Sequence, residues 1–125
     1  MLKIILATAR PEAMAAFVEA LSSDTGIHLK RVHSGTETLA AVRAACPHLV
    51  VVDADLPDTD PLGLVQKLLM VNAMINTAVI SPLTEEEFHE ASEGLGVLGR
   101  LPVEPSSGDA ADLLDKLRRI LGLGS

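Results

Sequence analysis

The stretch PHLVVVDADLPDTDPLGL, from Pro47 to Leu64, decides how the rest of the chain is read. Pro47 has no amide proton to donate and stops any helix that precedes it. Leu49 to Val52 is a continuous, largely β-branched run, the mark of a strand buried on both faces of a parallel sheet. The run ends at Asp53, and an acidic loop follows. Asp60 carries the acceptor of a helix N-cap, and Pro61 suits the first helical position. A helix is therefore expected to start there, with Val65, Leu68 and Leu69 turned inward. Asp53 falls where open parallel sheets place their chemistry, beyond the C-terminal end of a strand.

Working outward, the same unit recurs. Leu2 to Ala7 reads as a first strand, apolar on both faces except for Lys3, and Pro11 is expected to open a helix with Met14, Phe17, Val18 and Leu21 on one face. Ser22 to Gly26 is turn chemistry, and Ile27 to Val32 is a more polar strand suited to a sheet edge. Ser34 and Glu37 have capping-box spacing ahead of a helix that sets Leu39, Val42 and Cys46 on its inner side. Asn76 to Ile80 is a fourth strand, ended by Ser81 and Pro82, and Thr84 with Glu87 repeats the capping-box spacing. Val97 to Leu101 reads as a fifth strand. Ser106 or Ser107 then caps a last helix with Ala110, Leu113, Leu114, Leu117, Ile120 and Leu121 inward, Arg118 and Arg119 in its final turn and Gly122 just past its end.

Five strand–helix units joined by short connections imply an α/β domain, a doubly wound parallel sheet with helices on both faces. Residues 1–121 are expected to form that domain and 122–125 a short tail. The crevice rule for such sheets then selects Thr8, Ala9 and Arg10, Asp53, Ser81 and the surroundings of Leu101.

Composition narrows the function. Hydrophobic residues make up 48% of the 125 positions and aromatics only 2%, so the core is aliphatic and bases have little to stack on. A net charge of −7 with ten dispersed Lys and Arg residues argues against direct nucleic-acid binding. Cys46 is the single cysteine and has no internal disulfide partner, which fits a reducing compartment. The first residues lack the pattern of a signal peptide, and no apolar run approaches the roughly 18–20 residues of a membrane span, so a cytoplasmic protein with no membrane role is expected.

Each conspicuous motif has a competing reading. Four aspartates between Asp53 and Asp60 suggest a calcium loop, but counting from Asp53 the sixth and twelfth positions are Asp58 and Leu64, where an EF-hand needs Gly and Glu. Asp58 and Asp60 read instead as a solvated turn residue and a cap. GLGVLG, Gly94 to Gly99, matches a dinucleotide fingerprint in letters, yet it follows a helix and leads into a strand, the reverse of what a pyrophosphate needs. His28, His33, His48 and His89 lack zinc-ligand spacing, and Ser81 has no nucleophile elbow around it.

Taken together, PHLVVVDADLPDTDPLGL, SGTETLAAV after the second strand and AVIS at the end of the fourth resemble the receiver domain of bacterial response regulators, over essentially the whole chain. The resemblance implies a flavodoxin-like sheet of order 2-1-3-4-5. It implies that Asp53 is the position phosphorylated by a histidine kinase and that Ser81 is the switch hydroxyl. It also implies two acidic residues for Mg²⁺, where this chain has Thr8 and Ala9, and a Lys-Pro pair, where it has Leu101 before Pro102. The switch aromatic on the fifth strand is absent too. Phosphoryl transfer relies on such groups to neutralise developing charge, each commonly worth about 10²–10³ in rate. The expectation is thus a pseudo-receiver, not an enzyme, with no cofactor and weak or absent Mg²⁺ binding. It would act through protein contacts with a kinase or an output domain at the fourth helix, fifth strand and fifth helix, and could form a homodimer. Arg10 or Arg100 is expected as a charge partner for Asp53. The alternative is an atypical phosphoacceptor that works through Asp53 and Ser81.

Overall fold

A computed structural model describes residues 1–122 of the chain. The elements alternate: β1 (Leu2–Ala7), α1 (Ala15–Ser22), β2 (Ile27–Val32), α2 (Gly35–Ala44), β3 (Leu49–Val52), α3 (Pro61–Val71), β4 (Asn76–Ile80), α4 (Glu85–Ala91), β5 (Gly99–Leu101) and α5 (Ser107–Ile120). All four strand pairings are parallel, and the sheet order is β2-β1-β3-β4-β5. This is the five-stranded flavodoxin-like arrangement. The reversal of winding falls between β1 and β3, so the C-terminal ends of those strands open one crevice.

The continuous apolar run of β3 is explained by two cores. Leu49 and Val51 enter one core, with Phe17, Leu21, Leu113 and Leu117 of α1 and α5. Val50 and Val52 enter the other, with Val42, Leu64, Leu68 and Phe88 of α2, α3 and α4. Side chains alternate across a strand, so a run buried on both sides must be apolar at every position. Each core holds one of the two phenylalanines.

Several local expectations need correction. The first helix begins at Ala15, not at Pro11. Residues 11–14 form a tighter turn in which the Met14 and Ala15 amides donate to the Pro11 and Glu12 carbonyls three residues back, and the first four-residue bond runs from Val18 to Met14. Cys46 lies beyond the end of α2 and is exposed rather than packed inward. The box at α2 is half made: Ser34 accepts from the Glu37 amide, whereas at α4 Thr84 and Glu87 cap each other fully, as do Ser106 and Asp109 at α5. The fifth strand is limited to Gly99–Leu101. The preceding glycines are turn residues, with Gly94 and Gly96 at φ 86° and 61°, where a side chain would be strained. Ile120 is 58% exposed and faces away from the core, whereas Leu121, one position on, is partly buried against the core that holds Leu117. Gly122 takes the left-handed conformation past α5, and the rest of the expected tail lies outside the described residues.

Candidate functional site

The crevice is built from three loops. β1 ends at Ala7 and delivers Thr8 to Arg10; β3 ends at Val52 and delivers Asp53; β5 ends at Leu101 and leads to Val103 and Glu104. The Asp53 amide donates to the Ala7 carbonyl at 3.0 Å, which continues the β1–β3 ladder and fixes where the carboxylate lies.

That carboxylate is fully buried. An isolated buried carboxylate is costly, so its partners decide its chemistry. Oδ2 accepts from the Thr8 hydroxyl at 2.6 Å and from Arg10 Nε at 3.0 Å. Oδ1 accepts from Arg10 Nη2 at 2.6 Å and from the Ala54 amide at 2.6 Å. A carboxylate offers about four lone-pair directions, and here four donors occupy them, two on each oxygen. The Arg10 contact is the bidentate fork that guanidinium makes with carboxylate.

Arg10 is itself held. Its Nη2 also donates to the Val103 carbonyl at 3.0 Å, and its backbone amide donates to the Thr8 hydroxyl at 2.9 Å. One side chain thereby ties the β1, β3 and β5 loops together. The hydrogen bond to Asp53, with the negative charges of Asp53, Asp55 and Glu104, raises the Arg10 pKa above its ordinary value despite partial desolvation. The guanidinium is a permanent cation at this site.

The other candidates lie apart from this cluster. Ser81 is nearly buried at the end of β4, where its hydroxyl accepts from the Leu83 amide at 3.2 Å and makes no hydrogen bond to Asp53. Arg100 faces α4: Nη1 donates to the Ser81 carbonyl at 3.0 Å and Nε is 3.4 Å from Glu85 Oε1, so it is not on Asp53. Leu101 is buried in the α1–α5 core and Ala9 is exposed. His33 lies 3.7 Å from Glu37, and His48 accepts the Lys3 amide proton.

The Mg²⁺ that the receiver resemblance implies does not fit these residues. Hard divalent cations need several free oxygen donors, and both Asp53 oxygens are already filled by N–H and O–H groups, with a cation laid across them. Among the described residues no group of three His, Cys, Asp or Glu side chains could hold a metal ion.

Asp58, read as a solvated turn residue, is exposed as expected and also ties two loops together. Asp58 accepts from the amides of Gly35 and Thr36 at 2.7 and 3.0 Å and from the Thr36 hydroxyl at 2.9 Å. It joins the acidic loop to the N-terminus of α2. The Gly35 amide first, then the amide and hydroxyl of Thr36, hold its pKa below the ordinary carboxylate value. Its partners stand 22 and 23 residues away, so local spacing carries no signal for them.

No protein-family model matches the chain, and no curated protein does. Solved structures share its fold. The N-terminal domain of an uncharacterized protein from Wolinella succinogenes superposes with a TM-score of 0.81 at 21% identity, covering 97% of each chain. The chemotaxis response regulator CheY4 of Vibrio cholerae gives 0.81 at 17% identity, over 94% of this chain and 98% of its own. RcsB of Salmonella enterica, bound to a promoter in the presence of phosphomimetic BeF3−, gives 0.80 at 14% identity; the chain matches over 95% of its length but spans only 62% of RcsB. The fold is that of response-regulator receiver domains. No helix among the described residues is long and apolar enough to cross a membrane.

Proposed function

We propose that this chain is a pseudo-receiver: a signalling module of the two-component type that acts through protein contacts, with Asp53 as a fixed anchor rather than a phosphoacceptor. One observation carries the reading. All four acceptor directions of a fully buried Asp53 are taken, two by a bidentate arginine. A nucleophilic carboxylate needs a free lone pair aimed at phosphorus and a metal beside it to gather the departing charge. Here Arg10 neutralises the charge permanently and covers the oxygens. Leu101, where the family has its lysine, is part of the core.

The reading includes a cytoplasmic location, a kinase or output domain as partner and no chemistry of its own. A contact surface formed by α4, β5 and α5, and self-association, belong to the same proposal, which fold likeness to response-regulator receiver domains supports only as analogy. The atypical phosphoacceptor reading would need Arg10 to leave Asp53 and Ser81 to turn toward it.

The test is to incubate the protein with Mg²⁺ and acetyl phosphate, and separately with beryllofluoride, and to record intact mass and amide NMR shifts. The unchanged mass and an unshifted spectrum are expected. A phosphoryl adduct on Asp53, or shifts spreading from Asp53 and Ser81, would overturn the reading.

A further inference from the structure

β2 is an edge of the sheet, and among the described residues no strand pairs with its outer side. The Leu2 and Thr8 amides donate to the Gly26 and Val32 carbonyls at 2.8 and 3.0 Å. Alternate residues of a parallel strand face its neighbour, so His28 and Lys30 bond to β1 while Leu29 and Arg31 turn their amides and carbonyls outward. Neither Leu29 nor Arg31 has another backbone partner among the described residues. This open ladder carries positive charge on a chain whose net charge is −7. His28, Lys30 and Arg31 are exposed on it, and Lys3, also exposed, stands beside His28 in the β1 register. Arg10, Arg100, Arg118 and Arg119 are engaged by carboxylates, whereas Lys3, Lys30 and Arg31 form no ion pair among the described residues. The carboxylates around this edge leave them unneutralised. Asp24 is held by Arg118, Glu37 lies 3.7 Å from His33, and Glu19 lines one cavity with Arg31 without pairing to it.

We propose that the outer edge of β2 binds an extended acidic peptide segment of a partner protein, which adds to the sheet as a further strand. The outward amides and carbonyls of Leu29 and Arg31 supply the ladder, and the side chains on either face select the sequence. On the face that carries Lys3, His28 and Lys30, alternate residues of the incoming strand are acidic. On the other face, where Ile27 and Leu29 are half-buried against the α1–α5 core, they are apolar. Lysines on an edge strand are also a general guard against unwanted pairing. That guard repels a basic strand and equally a second copy of β2, because like charges would lie directly opposite, and it favours an acidic one. The inference rests on reading the chain as a protein-contact module, and it places one contact on the edge of the sheet opposite β5. Each opposite-charge pair across neighbouring strands is worth roughly 1.5- to 5-fold in affinity, so a short peptide should bind weakly and saturably.

The experiment titrates the ¹⁵N-labelled full chain with acetyl-EVEVE-amide and follows amide shifts and amide hydrogen exchange. Saturable shifts along β2 are expected, with slowed exchange at the Leu29 and Arg31 amides, which the added strand covers. Acetyl-KVKVK-amide keeps the apolar face and reverses the charge. A form of the acidic peptide methylated at every backbone nitrogen keeps the charge and loses the ladder donors. Each should bind about tenfold more weakly or worse. Lys30→Glu, an exposed change, should weaken the acidic peptide severalfold, and added salt should weaken its binding to the wild type. Equal binding of the lysine peptide, equal binding of the methylated peptide, or no protection of the Leu29 and Arg31 amides would overturn the proposal. Such a failure is distinct from failure of the pseudo-receiver reading, which the phosphodonor and beryllofluoride spectra decide without any peptide.

Discussion

Asp53 is a charge placed where charge is expensive, and Arg10 is what makes the placement stable. The guanidinium is a quarter exposed while the carboxylate is fully buried, so removing the cation leaves the anion stranded in the interior. Arg10→Gln should therefore cost roughly 2–4 kcal/mol in urea unfolding, somewhat under the figure for a fully buried pair. Asp53→Asn, which removes the stranded charge, should cost less, and the double variant should cost less than the sum of the two. An additive result would show that the pair does not act as a unit. The pH dependence follows from the raised pKa of Arg10. A group whose pKa is raised by folding contributes fully below its unfolded value and loses that contribution only as pH climbs through the folded one. For arginine both lie far above neutrality, so the stability gap between wild type and Arg10→Gln should stay flat from about pH 6 to about pH 9. A gap that closes within that window would mean that a different titrating group sets it.

Helix ends show which structural signals are local. The caps at Asp60, Thr84 and Ser106 have their partners three residues on; the first two were readable from the local sequence, and at α5 it narrowed the cap to Ser106 or Ser107. The link from Asp58 to α2 was not, because its partners are set by the packing of two loops rather than by neighbours in the chain. The late start of α1 has a similar origin. Thr8 and Arg10 are committed to Asp53, and the chain needs the tight turn over residues 11–14 before a regular helix can begin. Asp58→Ala should speed amide exchange at Gly35 and Thr36 and lower the midpoint of thermal unfolding, whereas Asp58→Ser, which keeps an acceptor, should recover part of the loss. The depressed pKa of Asp58 gives the sign in acid: its contribution is present above the unfolded carboxylate value, near pH 4, and is lost as pH falls through the lower folded value. The Asp58→Ala variant should therefore show a shallower loss of stability below about pH 4 than the wild type. An identical acid slope would remove Asp58 from the account.

Across the whole molecule, β-run and helix-period patterns were enough to anticipate the sheet and its two covered faces, because burial on each face is written into every strand and helix. The cluster at Asp53 was legible only as positions near strand ends. Thr8 and Arg10 stand 45 and 43 residues from Asp53, and Val103 stands 93 from Arg10; only the folded sheet brings them within hydrogen-bond distance. The same sheet makes the two cores interdependent. Phe17 anchors one and Phe88 the other, yet both pack on β3 and β4, whose alternate side chains point into each core. Losing either ring should remove support from strands that the opposite core also needs. Phe17→Ala and Phe88→Ala should each cost about 3–5 kcal/mol, with the surrounding aliphatic side chains too well packed to close the void. Because the sheet is shared, both variants should still unfold in one cooperative transition with an unchanged urea m-value. Circular dichroism reports on the helices of both faces at once, and amide exchange can compare α2 with α5 directly. A reduced m-value in Phe88→Ala, with α2 exchanging freely while α5 stays protected, would show that the α2–α3–α4 layer can melt away from a sheet that α1 and α5 hold on their own.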